Sequence, residues 1–289
     1  MAFRTDLTLE IAENVKNLSA QDCFVREYTK NNIRITAHTL HTMHAEQVYG
    51  KPRGNYITLE LPPLSDDEKL LTEGATVLAE QLRQLLPSSG TVLVVGLGNR
   101  AITPDALGPR TADFTLATRH IQGEFARSVG LSDLRSTAVI APGVLGQTGA
   151  ESSEIVSGLC DRLSPAAVVC IDALTACSIE RLGCTVQLTD TGIAPGAGVG
   201  NRRAPLNRDT LGIPVIAIGV PTVVDAAVIA GECTKGEDIH LSPAARNLIV
   251  TPKEIDLVIH RAAKLIAAGL HLCLHPDYAP FELISLANG

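Results

Sequence analysis

The chain has 289 residues, enough for one large α/β core, and 45% hydrophobic with 19% charged residues is a globular composition rather than a disordered or fibrous one. A formal charge of −7, aromatics at 3% and no Trp argue against direct binding of nucleic acid, which needs clustered cations and stacking platforms. The opening MAFRTDLTLEIAENVK lacks a basic stretch leading into an apolar one, and no run of about 18 apolar residues occurs, so neither a secretory signal nor a membrane span is expected and a cytoplasmic protein is.

In chain order, NIRITAHTL alternates apolar and polar residues from Ile33, and GNYITLELP does so from Asn55. These predict two strands joined by a short irregular segment, a hairpin or edge pair within an N-terminal segment 1–62. Ser65 and Glu68 have capping-box spacing, and Leu71, Ala75, Leu78, Leu82 and Leu85 share one helical face before Pro87 ends the helix. From residue 90 the pattern changes. TVLVVGLG, TAVIAPG, AAVVCIDAL and IPVIAIGV are apolar runs rich in β-branched residues, as in central parallel strands. Helical segments fall between them: PRTADFTLATRHI with Pro109 at its first position, a second capping box at Thr148 and Glu151, and VVDAAVIAG. This βαβ alternation predicts a mostly parallel sheet with helices on both faces, in a single α/β domain over 1–289. After a strand at CTVQLTD, residues 185–210 run into Gly, Pro, Asn and Arg and read as an irregular, substrate-facing loop. Thr251, Pro252 and Glu254 open a C-terminal helix with Ile255, Ile259, Ala262 and Ile266 on one face.

The stretch GLGNRAITPDALGPR, residues 96–110, follows a predicted buried strand and invites two readings. GLGNRA fits a dinucleotide fingerprint, the basis of an alternative nucleotide-binding function, but that mechanism needs a helix to start inside the motif, and Ile102-Thr103-Pro104 and Pro109 interrupt it. The other reading makes 98–108 a loop at the carboxyl end of a strand that holds Asp105. Taken alone, Asp105 would only bond loop amides or favour the next helix dipole. A second acid, Asp172, ends the run AAVVCI in an equivalent place. Open α/β sheets bind ligands beyond the carboxyl ends of their strands, where two carboxylates can converge, one protonated and one charged. Such a pair can activate water.

Other features carry less. His38, His41 and His44 are spaced by three, which sends strand neighbours to opposite faces, so they read as packed or solvated rather than metal-ligating. The serines of GAESSEIV lack a nucleophile elbow. The cysteines, seven in number with no C-x-x-C pair, read as free thiols without structural zinc; Cys177, near Asp172, is read as packing before nucleophile. Asp190 ends a predicted strand and fits an Asx turn as well as a substrate contact.

Taken together, FRTDLTLE, GNYITLELP, VVGLGNRAITPDALGPR, APGVLGQTGAESSEI, IDALTACSIERL, DTGIAPGAGVGNRR, LGIPVIAIGVPTVVDA and TPKEIDLVIHRAAKLIAAGLHLCLHP resemble the germination protease family of spore-forming bacteria, nearly end to end. The resemblance implies an atypical aspartic endopeptidase that starts the degradation of small acid-soluble spore proteins at germination, located in the forespore or spore core. It also implies a zymogen, a homotetramer, and a phosphorylase/hydrolase-like α/β fold similar to that of hydrogenase maturation peptidases. The family's catalytic aspartates fall on Asp105 and Asp172. Asn99, His120, Asp190, Arg202 and Arg203 are carried as substrate contacts, the two arginines facing acidic side chains around the cut. No cofactor and no metal is called for; a metal-assisted maturation peptidase is the alternative enzyme. Asp190-Thr191-Gly192 looks like the pepsin motif, but it occurs once and in α/β surroundings, so it receives no catalytic role. Longer family members carry a leader ahead of the segment that here reads FRTDLTLE, which only Met1 and Ala2 precede.

Overall fold

The four apolar runs form the parallel centre of one sheet. The computed structural model describes residues 4–15, 18–64, 67–121, 123–128, 130–131, 133–194, 204–234, 242–246 and 248–287. Its strands are β1 (Cys23–Lys30), β2 (Ile33–Leu40), β3 (Gly54–Glu60), β4 (Val92–Gly96), β5 (Thr137–Ile140), β6 (Ala167–Ala176), β7 (Thr185–Thr189), β8 (Val215–Asp225) and β9 (Ile249–Val250). They join in the order β1-β2-β3-β7-β8-β6-β4-β5, with β9 on β8. Strands β5, β4, β6 and β8 pair in parallel. Strands β7, β3, β2 and β1 continue the sheet in antiparallel pairs, so the sheet is mixed and its parallel half holds the centre.

Alternation along each central strand feeds two layers. Val92 and Val94 of β4, with Val169 and Ile171 of β6, pack in the larger core beside Leu78 and Leu82 of helix Glu68–Leu85 and Ile259 and Ile266 of helix Ile255–Leu274. Leu93, Val95, Val168 and Cys170 face the other way, against Val156 and Cys160 of helix Ser152–Leu163. Helices therefore cover both faces, as βαβ crossovers require. Helix Ile255–Leu274 is long and apolar enough by length and composition to cross a membrane. Eleven of its residues are buried inside this protein, from Ile259 to Leu274, which makes it the central helix of the core.

Several local expectations are corrected. Strand β1, passed over in the sequence, is exposed along most of its length, so CFVREYTK carries no alternation to betray it. The segment between β2 and β3 is not irregular but holds helix Met43–Tyr49, capped by the Thr42 side chain, which accepts from Ala45 N–H. Asp67, rather than the Ser65 box, caps helix Glu68–Leu85, accepting from Lys69 and Leu70 N–H; Ser65 lies outside the described residues. Thr148 ends a short helix of its own, and Glu151 caps Ser152–Leu163, with the Glu154 carboxylate accepting from Glu151 N–H at 2.8 Å. Thr251 donates to the carbonyl of Thr222 instead of capping, and the helix opens at Ile255. Pro109 is third, not first, in helix Leu107–Phe114, still within the turn whose N–H groups have no helical acceptor, and the helix stops at Phe114 rather than running on to Ile121.

Candidate functional site

Strand β4 lies between β5 and β6, so the chain leaves it toward β5 and returns on its other side. The crossovers use opposite faces, Leu107–Phe114 with the larger core and Ser152–Leu163 with the smaller. That reversal is the topological switch point, where a crevice opens beyond the strand ends. A cavity of about 640 Å3 lies there, and both Asp105 and Asp172 line it.

Glycines let the β4 loop fold back onto the strand end. A Cβ on Gly96 would lie 2.1 Å from the carbonyl oxygen of Gly108, and one on Gly108 would lie 2.2 Å from that of Leu97 and 2.5 Å from that of Ile171. Gly98 has φ +111°, and its open side is filled by the carbonyl of Asp105. The loop is then fixed: Thr222 Oγ1 donates to Pro104 O at 2.8 Å, and Asp105 Oδ2 accepts from Asn99 N–H at 2.8 Å. A pyrophosphate would need the open face of Gly98 and a loop N–H such as that of Asn99, and Asp105 already occupies both. The glycines mount an acid.

Asp172 sits at the sixth position of β6, opposite Gly219 of β8, and is 8% exposed. Its Oδ1 accepts from the N–H of Ala173 at 2.9 Å. Ala173 is the one residue of β6 that is not buried, because β4 has ended: Leu97 N–H reaches Ile171 O at 2.8 Å and nothing of β4 continues beyond it. The strand edge is covered again at Thr175, by the N-terminal segment. Asp6 N–H donates to Thr175 O at 2.9 Å, and Asp6 Oδ2 accepts from Thr175 N–H at 2.9 Å.

That segment was absent from the residue-based reading of the site, yet it forms one wall. Gln187, the one amide in the apolar run of β7, accepts from Thr8 N–H at 2.6 Å and donates to Asp6 O at 2.9 Å. Lys51 Nζ also donates to Asp6 O, at 3.1 Å, and burial lowers its pKa from the ordinary lysine range. Glu10, fully buried on helix Thr8–Asn14, accepts from Cys177 N–H at 2.8 Å and meets Arg181 at 3.4 Å. The lone Gln in CTVQLTD could have flagged this wall; Lys51, inside KPRG, looks like any turn residue.

The remaining candidates separate. Asn99 flanks Asp105, its Oδ1 accepting from Ala101 N–H at 3.0 Å and from Gln147 Nε2 at 2.8 Å. Asp190 accepts from Asn55, both from its backbone N–H and from its side-chain amide, tying the start of β3 to the end of β7; it is not itself a lining residue, though Thr189 and Thr191 on either side are. His120 is exposed in a turn and does not line the cavity. Arg202 and Arg203 lie outside the described residues. Cys177 packs as expected, and burial, with Glu10 beside it, pushes its thiol up to about 12. His38 is buried in β2, whereas His41 and His44 are exposed. Among the described residues no cluster of three or more His, Cys, Asp or Glu side chains suited to a metal assembles.

Fold and cavity together define an open α/β protein with two acids, Asp105 and Asp172, lining a cavity at the switch point of its sheet. Comparison gives the particular family. The profile of the germination protease family matches residues 5–235, and this chain belongs to that family. A germination protease of Caldanaerobacter subterraneus subsp. tengcongensis is 41% identical over 100% of this chain and 99% of its own length. Germination proteases of Clostridium perfringens (strain ATCC 13124) and Clostridium tetani are 38% and 37% identical, each matched over 99% or more of both chains. Membership makes the chain a peptidase. Among solved structures, a [NiFe] hydrogenase maturation protease, HycI, from Thermococcus kodakarensis is similar at a TM-score of 0.38 and 20% identity, over 66% of this chain and 98% of that one.

Proposed function

We propose that this chain is an endopeptidase that begins the breakdown of small acid-soluble spore proteins at germination, with Asp105 and Asp172 as a water-activating pair. The observation that carries the reading is that both aspartates line one cavity at the switch point, held from adjacent parallel strands. One oxygen of each is oriented by a main-chain N–H, of Asn99 and of Ala173. With one proton shared between them, the charged carboxylate takes a proton from water and the water oxygen bonds to the scissile carbonyl carbon, while the protonated carboxyl donates to the carbonyl oxygen. Collapse of the tetrahedral intermediate breaks the C–N bond, and the leaving nitrogen takes up a proton. Action in the spore core, in a homotetramer, belongs to the same reading.

The test is incubation of the full chain with a purified small acid-soluble spore protein, followed by mass mapping of the fragments. Asp105→Asn and Asp172→Asn should each lower the rate by orders of magnitude with the fold intact by circular dichroism. Near-native cleavage by either variant would end the paired-acid mechanism.

A further inference from the structure

Among the described residues that line the cavity there is one cation, and a water-activating pair does not use it. The cation is Lys51, and its ammonium is given only a neutral partner, the carbonyl oxygen of Asp6 at 3.1 Å. Among the described residues no carboxylate stands within 4 Å of Lys51 Nζ to form an ion pair. The acid that acts on Lys51 electrostatically, Asp6, turns its Oδ2 to the N–H of Thr175 and makes no ion pair with it. Burying an ammonium without an ion-pair partner is costly, and burial lowers the pKa of Lys51 even though the Asp6 carboxylate, beyond ion-pair distance, acts the other way. A site that carries such a cost in the free protein is prepared for an anion arriving with the ligand.

Its place along the sheet fixes where that anion would be. Asp172 and Thr175 are three residues apart on β6, about 10 Å at about 3.3 Å per residue. The Asp6 amide bonds to Thr175 O, and Lys51 bonds to the carbonyl of the same Asp6. A peptide lying extended along the uncovered edge at Ala173 covers the same distance with about three of its own residues. The chemistry that fits is a carboxylate on a side chain, since it would give the Lys51 ammonium a charge-assisted hydrogen bond where it now has only a carbonyl oxygen.

We propose that Lys51 is a specificity-determining residue whose ammonium pairs with an Asp or Glu side chain of the substrate, within about three residues of the bond cut at Asp105 and Asp172. The assignment rests on the peptidase reading above for its reaction, but the pairing itself is a binding event that can be read separately.

The experiment uses three synthetic peptides spanning one cut mapped in a purified small acid-soluble spore protein: the native peptide, and versions in which the acidic residue within three positions of the cut is Gln or Lys. The native chain should cleave the acidic peptide at least about tenfold faster in kcat/KM than the Gln peptide, with the difference mainly in KM. Lys51→Met should bring the acidic peptide down to the level of the Gln peptide. Lys51→Arg should retain the preference, and Lys51→Glu should favour the Lys peptide. That reversal is not produced by loss of a structural bond to Asp6. Retention of the native preference by Lys51→Met and Lys51→Glu would overturn the assignment, as would mapped cuts with no Asp or Glu within three residues. If the native chain cuts none of the peptides, the peptidase reading fails by itself. Fluorescence anisotropy of the fluorescein-labelled acidic and Gln peptides then decides the pairing: tighter binding of the acidic peptide, lost in Lys51→Glu, supports it, and equal binding refutes it.

Discussion

Two helical glycines give substitutions of opposite sign, and the difference tests how the site is mounted. In Gly108→Ala the new Cβ would lie 2.2 Å from Leu97 O, 2.4 Å from Leu97 N and 2.5 Å from Ile171 O. All three are backbone atoms, two of them joined by the 2.8 Å hydrogen bond from Leu97 N–H to Ile171 O. No rotamer change relieves the overlap; helix Leu107–Phe114 must move away by about 1 Å from the ends of β4 and β6. Overpacking of this kind costs about 1–3 kcal/mol, and weakening the backbone bond adds about 1 kcal/mol. The better helix propensity of Ala offsets at most about 1 kcal/mol. The net is a destabilisation of roughly 1–3 kcal/mol, or for a chain of this length a fall in Tm on the order of 2–5 °C. Gly158, exposed in helix Ser152–Leu163, has nothing within 4 Å of its added Cβ, so Gly158→Ala should stabilise by up to about 1 kcal/mol. Urea titration followed by circular dichroism measures both, with an unchanged slope as the check that only stability has moved. Because the Gly108 shift displaces the loop carrying Asp105, peptide hydrolysis should also fall by more than about tenfold, since a misplacement of about 1 Å is enough for that. A Gly108→Ala protein as stable and as active as the native chain would refute the backbone-contact account of this loop.

Three further outcomes follow from buried polar groups. His271 and His275 are buried and pushed down to about 4, by desolvation first, so the unfolded chain, with its histidines near 6.5, binds more protons between those values. Their contribution is fully present above about pH 6.5 and is lost as pH falls toward 4, by up to about 1.4 kcal/mol per pH unit for each imidazole. His275→Asn, whose Oδ1 can accept from Arg135 N–H as Nδ1 does at 3.2 Å, should roughly halve that slope in urea titrations across pH 4–7; an unchanged slope would assign the proton uptake elsewhere. Glu10→Ala leaves the Cys177 N–H and one contact of Arg181 without their acceptor and should cost about 3–5 kcal/mol, and a loss below about 1 kcal/mol would show that the N-terminal wall is not held by this acid. Cys177, with its thiol pushed up to about 12, should resist iodoacetamide in the folded chain at pH 8, and Cys177→Ala should hydrolyse peptides at the native rate; rapid alkylation accompanied by loss of activity would restore a thiol mechanism.

What could be read from the sequence, and what could not, follows from how each residue type bears burial. The runs at β4, β5, β6 and β8 were legible because strands covered on both faces have to be apolar throughout, and Asp172 stood out because a carboxylate at the end of such a run needs a reason to be there. Asp105 was legible through the prolines, which ruled out a helix begun at Gly98 and left a loop with an acid in it. Strand β1 was not, because a strand exposed over most of its length imposes no alternation. The N-terminal wall failed for a different reason. Asp6, Lys51 and Gln187 come from three distant parts of the chain and meet only through the carbonyl of Asp6, a backbone atom that every residue possesses. A cation in a turn such as KPRG costs nothing in water, so its type carries no signal until folding places it against that carbonyl without an ion-pair partner. Polar residues in apolar runs can therefore be found by inspection, whereas a charge desolvated only by tertiary contact is visible in the fold alone, and here it lies in the same cavity as Asp105 and Asp172.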